Sequence, residues 1–251
     1  MIGISSKNAF SAEFWWNTLI DKGFKLLELN HRVTPISFNP EHITGMKEII
    51  KNNDLTITIH SGVTDILHPD EITAEYQLLL LKAEIKYASD IGMNHVIFHM
   101  SSYLDHEKDK DRIHEFLSEV IEFARIHDVK LFLENDSKGA WVNPDDLLPY
   151  FEKYKNLKHL LDIGHLNRAL HSGFVKSEKD YFDKLGKHIC YVHIHGNKGI
   201  IDEHTSVDKG NLKLDFLLPE IKKLNPIVII ETNNMEDALI TEKILQANGF
   251  E

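Results

Sequence analysis

The sequence predicts an α/β fold, a single (β/α)8 TIM barrel, on three observations. Its 251 residues match the usual size of one such barrel. Short runs rich in Ile, Val, Leu and Phe alternate in strict order with longer amphipathic stretches, the pattern of parallel strands joined by crossover helices. No linker, low-complexity tract or composition shift divides the chain, so residues 1–251 read as one domain.

In chain order, the strands are predicted at 2–5, 25–30, 55–60, 95–100, 130–135, 157–162, 190–195 and 227–231. Each is almost continuously apolar because a parallel strand is covered on both faces. The helices are predicted at 12–21, 42–53, 71–89, 111–127, 144–155, 178–185, 215–223 and 235–247. Gly23 and Gly92 stand where the first and third helices must stop before the next strand. Asn143-Pro144, followed by Asp145 and Asp146, marks a capped start for the fifth. Pro149 and Pro219 fall inside the fifth and seventh helices and blur where these begin. The one long irregular stretch is 196–211, after the seventh strand, and a loop of that length in a compact fold is usually functional.

Composition narrows the classes. With 42% apolar and 27% charged residues the chain can bury a full core, which excludes disorder. The longest purely apolar run, Leu78 to Leu81, is far too short to cross a bilayer. No basic start precedes an apolar stretch at the N-terminus, so no secretion signal is expected. The lone Cys190 forms no internal disulfide and suits a reducing cytoplasm. A net charge of −11 argues against an electrostatic nucleic-acid binder. Sixteen histidines are the anomaly.

In such barrels the chemistry lies at the C-terminal ends of the strands, where the βα loops emerge. The residues there are Glu28, His60, His99, Glu134, Asp162, His193 and Glu231. His165 follows Asp162 in LDIGH, and Asp202 and His204 stand in the long loop as DEH. Two carboxylates about 5 Å apart repel by roughly 3 kcal/mol at an effective dielectric of 20. Glu134, Asp162, Asp202 and Glu231 gathered at one mouth therefore call for a cation. Carboxylate plus imidazole suits Zn²⁺, Mn²⁺ or Co²⁺, whereas a Mg²⁺ site has few histidines.

These residues resemble the xylose isomerase-like TIM-barrel superfamily, which holds sugar and sugar-phosphate isomerases and epimerases together with endonuclease IV. The resemblance covers essentially the whole chain. It is carried by FLEND with Glu134, LLDIGH with Asp162 and His165, YVHIHGNKGIIDEH with His193, Asp202 and His204, and VIIET with Glu231. It implies one metal on Glu134, Asp162, His193 and Glu231 in the epimerase branch. In the endonuclease branch it implies three zinc ions on those four plus His60, His99, His165, Asp202 and His204. The expected cofactor is thus one to three divalent ions, Zn or Mn/Co.

Two chemistries follow from the resemblance, and the sequence leans to the first. An isomerase or epimerase of a small sugar or sugar phosphate would use Glu134 and Glu231 as acid and base. Glu28, Asn135, Trp141 and Lys198 would then contact substrate, with Trp15 and Trp16 as further walls. The LDIGH form and the LELN end of the second strand favour this branch. The alternative is a multi-zinc phosphodiesterase acting at abasic sites in DNA, the only reading with a nucleic-acid partner. A third reading keeps the barrel as a binding protein without catalysis. Oligomeric state is left open, although Phe151 and Phe182 on helix faces are candidates for self-association.

Bland readings apply elsewhere. Between His193 and His195 the strand is expected to end, which makes His193 the ligand. His31, His42, His68, His95, His106, His114, His127, His159, His171 and His188 are expected on the surface. The run at 106–112 reads as a solvated helix entry because its charges alternate in sign, and 78–81 as core packing.

Overall fold

The computed structural model describes residues 1–9, 15–101 and 103–251. Eight strands close into a parallel barrel in sequence order: β1 (Ile2–Ser5), β2 (Leu26–Asn30), β3 (Thr56–His60), β4 (His95–Phe98), β5 (Lys130–Glu134), β6 (Leu157–Asp162), β7 (Ile189–Ile194) and β8 (Ile227–Ile230). β8 pairs back onto β1 through Ile2 with Val228 and Ile4 with Ile230. All eight strands lie within two residues of their predicted bounds.

Nine α-helices are found among the described residues: α1 (Trp15–Ile20), α2 (Pro40–Asn53), α3 (Glu71–Asp90), α4 (Lys110–Ile126), α5 (Pro144–Lys153), α6 (Ile163–His171), α7 (Glu178–Leu185), α8 (Leu214–Leu224) and α9 (Met235–Ala247). The predicted helix at 12–21 begins outside the described residues. α6 is an addition that the sequence reading missed. It starts directly at the end of β6, where the Asp162 side chain caps it by accepting from the His165 backbone N–H at 2.7 Å. Pro149 and Pro219 are accommodated inside α5 and α8. Gly23 and Gly92 do end their helices, with φ of +92° and +80°, backbone that glycine adopts without strain.

The core has two layers. The larger lies between the outer face of the barrel and the helices. The smaller fills the barrel's interior with Leu26, Ile97, Phe132, Leu160, Tyr191 and Ile229. Because strand side chains alternate with period two, the next inward position on each of these strands is Glu28, His99, Glu134, Asp162, His193 and Glu231. The apolar plug thus becomes the floor beneath a polar layer. Gly3 is the inward residue of β1. A Cβ there would meet Leu26 and Ile229 at 2.5 and 2.4 Å, so only glycine leaves room for the plug.

Several surface expectations are corrected. Of the ten histidines expected on the surface, His171 is exposed, His159 is fully buried and the others are half-buried. His159 points outward from β6, but in a parallel barrel that face lies under helices. Its ring bonds the Tyr181 hydroxyl at 2.9 Å, and burial lowers its pKa to about 4. Phe151 and Phe182 belong to the core and offer no free face. Within 78–81, Leu81 is buried while Leu79 faces out.

Candidate metal centre

All nine ligand-type residues meet at the C-terminal mouth of the barrel, and Glu134 sits at their centre. Its Oε2 lies 3.1 Å from Nε2 of both His60 and His99. Its Oε1 lies 3.5 Å from Nδ1 of His193. The His193 nitrogen also faces Asp162 at 3.8 Å and Glu231 at 3.6 Å. A third group forms where Asp202 Oδ2 stands 3.2 Å from His165 Nε2 and 2.9 Å from His204 Nε2. In each of three sets, His60 with Glu134 and His193, Asp162 with His193 and Glu231, and His165 with Asp202 and His204, the donor atoms lie within 4.8 Å of one another, close enough to share one ion.

The second nitrogen of each imidazole is already occupied. His60 Nδ1 lies 3.2 Å from the Ser61 carbonyl, and His99 Nδ1 lies 3.1 Å from Asp136. His165 Nδ1 lies 2.9 Å from the Asn135 carbonyl, and His204 Nδ1 lies 2.7 Å from the Glu231 carbonyl. In His193 the roles are reversed, with Nε2 2.7 Å from the buried Glu28. Each acceptor favours N–H on its own side and a lone pair on the side facing the carboxylates, which is how metal-binding histidines are normally oriented. His193 Nδ1 and Asp202 Oδ1 are buried with no hydrogen-bond partner. Orphaned buried donors and acceptors are costly, and a cation shared among these N and O atoms removes that cost. The residues therefore fit a divalent metal.

Electrostatics agree. Burial raises the Glu134 carboxyl, but the charges of His99 and His193 outweigh it and hold the group well below the usual carboxylate range. Burial likewise raises Glu231, and Lys7, His193 and His204 reverse it. The carboxylates are thus kept ionised, as ligation requires. Burial lowers His99, His165, His193 and His204, but the same pairing outweighs it and pushes them up, so that a bound metal would have to displace their protons.

The predicted substrate contacts fare differently. Glu28 is buried in the floor, accepting from the Tyr191 hydroxyl at 2.7 Å beside its contact with His193. Asn135 is committed to Asp162, accepting from its N–H at 2.8 Å and donating to its carbonyl at 3.2 Å. Trp141 has no exposed surface, and its indole N–H donates to the Ser101 carbonyl in the core. Lys198 is exposed, its backbone N–H bonded to Glu203, and it lines neither mouth cavity. Trp16 packs against the core, and the side chain of Trp15 lies outside the described residues.

Other groups take their place. β7 does end at Ile194, between the two histidines. Yet His195 stays at the mouth, with Nε2 3.1 Å from both Asp162 oxygens and its ring stacked on His204 at 3.8 Å. Lys7 lines the cavity above the ligands, its ammonium 3.9 Å from Glu231. It stands in the short 3₁₀ helix Ser6–Ala9 that follows β1, where the strand's period of two no longer applies. Arg32, on the loop after β2, lines the same cavity.

Fold and site together define a (β/α)8 barrel with a mixed carboxylate–imidazole centre. The chain belongs to the xylose isomerase-like TIM barrel family, whose model matches residues 18–248. Three solved structures illustrate the likeness of fold. A D-tagatose 3-epimerase-like protein superposes with a TM-score of 0.83 at 23% identity, covering 98% of this chain and 96% of that one. A Thermus thermophilus protein, from a crystal soaked with zinc chloride, gives 0.77 at 20% identity, covering 99% and 96%. Endonuclease IV from the same organism gives 0.71 at 17% identity, covering 98% of both chains.

Proposed function

We propose that this protein is a metal-dependent phosphoesterase that holds two or three divalent ions, zinc being the best match to the donor set, and works in the cytoplasm. The observation that carries the reading is the two-sided use of Glu134. One oxygen faces His60 and His99 while the other faces His193, so Glu134 with these histidines would be able to hold more than one ion. Bound there, such ions supply charge to stabilise the attacking and leaving oxygens of a phosphate ester and a water made nucleophilic near neutral pH.

The chain's own residues supply the rest. Glu134, Asp162 and Glu231 keep negative charge at the ions, and His60, His99, His165, His193, Asp202 and His204 complete the three groups. Lys7 and Arg32 border the cavity of about 210 Å³ above them and would hold the non-reacting anionic oxygens of a phosphate. A neighbour titled endonuclease IV is consistent with this chemistry.

A second reading, the sugar or sugar-phosphate epimerase toward which the sequence leans, draws on a different observation. Glu134 and Glu231 both face His193 Nδ1, at 3.5 and 3.6 Å, so a single ion there would leave two carboxylates to act as acid and base. A neighbour titled D-tagatose 3-epimerase-like is consistent with that.

Elemental analysis of the purified protein, with phosphate esters, an abasic duplex and a ketose panel assayed side by side, separates the two. The expected result is two or more metal equivalents with ester hydrolysis, reduced by at least about 10–100-fold in Glu134→Gln with the fold retained. One equivalent, with ketose conversion and no ester hydrolysis, overturns the proposal in favour of the second reading.

A further inference from the structure

A second cavity, of about 280 Å³, adjoins the first at the barrel mouth and shares His99, His165, Asp202 and Arg32 with it. Its outer wall carries Lys138 and Arg168 together with Thr64 and Ser137. Arg168 follows His165 by one turn of α6, so a single short helix presents both a ligand-type residue and a guanidinium to this space. The guanidinium is anchored by donating to Ser137 Oγ at 2.7 Å, and its Nε has no partner. Arg32 is anchored through Nη2 to the Val63 carbonyl at 2.9 Å.

Three carboxylates, Asp65, Asp136 and Asp202, also line the cavity, two of them turned to ligand histidines through one oxygen each. Asp202 faces His165 and His204 in the ligand cluster, and Asp136 carries His99 through its Nδ1. The cations Arg32, Lys138 and Arg168 equal these three carboxylates in number, and with Asp202 and Asp136 each turned to a ligand histidine they stand as the donors the cavity offers an anion. A planar guanidinium held at a fixed angle is suited to phosphate or carboxylate oxygens.

We infer that this outer cavity is a subsite for a second anionic group, and that the substrate is a small ester carrying two anions. One phosphate would sit at the ligand cluster, and the other anion would lie against Arg168, Lys138 and Arg32. The inference builds on the phosphate reading above by naming the kind of molecule. The two cavities have the volume of a metabolite pocket, not that of a duplex trench.

The test is calorimetry on the zinc-loaded full chain with a series of linear α,ω-bisphosphates, ethane through pentane, each against its monophosphate. At least one bisphosphate is expected to bind about tenfold or more tightly than its monophosphate. In Arg168→Met and in Lys138→Met that ratio is expected to fall toward one. Lys138 is not one of the ligand-type residues, and Lys138→Met decides the matter if Arg168→Met loses zinc. A ratio near one throughout the series, or a ratio that survives both substitutions, overturns the inference. An abasic duplex that binds more tightly than every bisphosphate also overturns it, because the anions would then belong to a nucleic acid. Hydrolysis is not read in this experiment. A protein that prefers bisphosphates but cleaves no ester sinks the phosphoesterase reading alone, and one that cleaves esters without the preference sinks the subsite alone.

Discussion

Glu28 shows how much of this centre depends on residues that need never touch a substrate. It is fully buried, and its Oε2 receives the Tyr191 hydroxyl while holding His193 Nε2. Thr58 joins the same floor at 2.9 Å from the Tyr191 hydroxyl. Together these groups turn His193 Nδ1 toward Glu134, Asp162 and Glu231. Glu28→Gln keeps the shape but removes the charge behind the ring. A competition titration with a chromophoric chelator should show the tightest-held zinc weakened by roughly 10–100-fold. Unchanged affinity would mean that the ring is oriented by packing alone. The strand-end position of Glu28 is plain in the sequence, but whether it serves a substrate or another side chain depends on which way the facing strand β7 presents its imidazole.

At the scale of elements, the strands were legible as short apolar runs, and in six of them an inward apolar residue is followed two positions later by a charged or imidazole group. That regularity gives Glu28, His99, Glu134, Asp162, His193 and Glu231, His60 stands at the end of β3, and His165, Asp202 and His204 are read from the LDIGH and DEH motifs. α6 was not legible as a helix, since LDIGH reads equally well as a loop, although a helix cap is one of the two readings the sequence allows for Asp162, and Asp162 takes it while remaining in the cluster. The first turn of α6 is packed hard against the end of β7: a Cβ on Gly164 would stand 2.0 Å from the His195 ring. Gly164→Ala must therefore push His195 off Asp162 or lift the helix. Overpacking of this kind costs about 1–3 kcal/mol, to be read as a lower denaturation midpoint, with His195 displaced in a crystal structure of the variant. A midpoint equal to the parent's would show that the helix start yields freely. Trp141 marks the opposite kind of error. Aromatic residues near sugars and aromatic residues in cores look alike along a chain, and here the indole N–H finds its acceptor inside, at Ser101.

Across the whole molecule, charge and closure work together. The chain carries a net −11, and Glu134, Asp162, Asp202 and Glu231 are drawn into a single mouth. Ligand that binds only the folded state stabilises it by about 2.7 kcal/mol at a hundred times its dissociation constant. For a chain of this size each kcal/mol moves the melting temperature by about 2–4 °C. Chelation should accordingly lower the melting temperature by about 5–10 °C, and zinc should restore it. A melting curve indifferent to both would argue that the carboxylates are balanced by protonated imidazoles instead. No helix among the described residues is long and apolar enough to cross a membrane.

The plug formed by Leu26, Ile97, Phe132, Leu160, Tyr191 and Ile229 has one more effect. It stoppers the barrel from below, so the polar layer is a cul-de-sac whose traffic runs in both directions through one doorway. On the proposed function, a product would have to back out past the same charged groups that drew its precursor in, and until it did so the next molecule would have to wait.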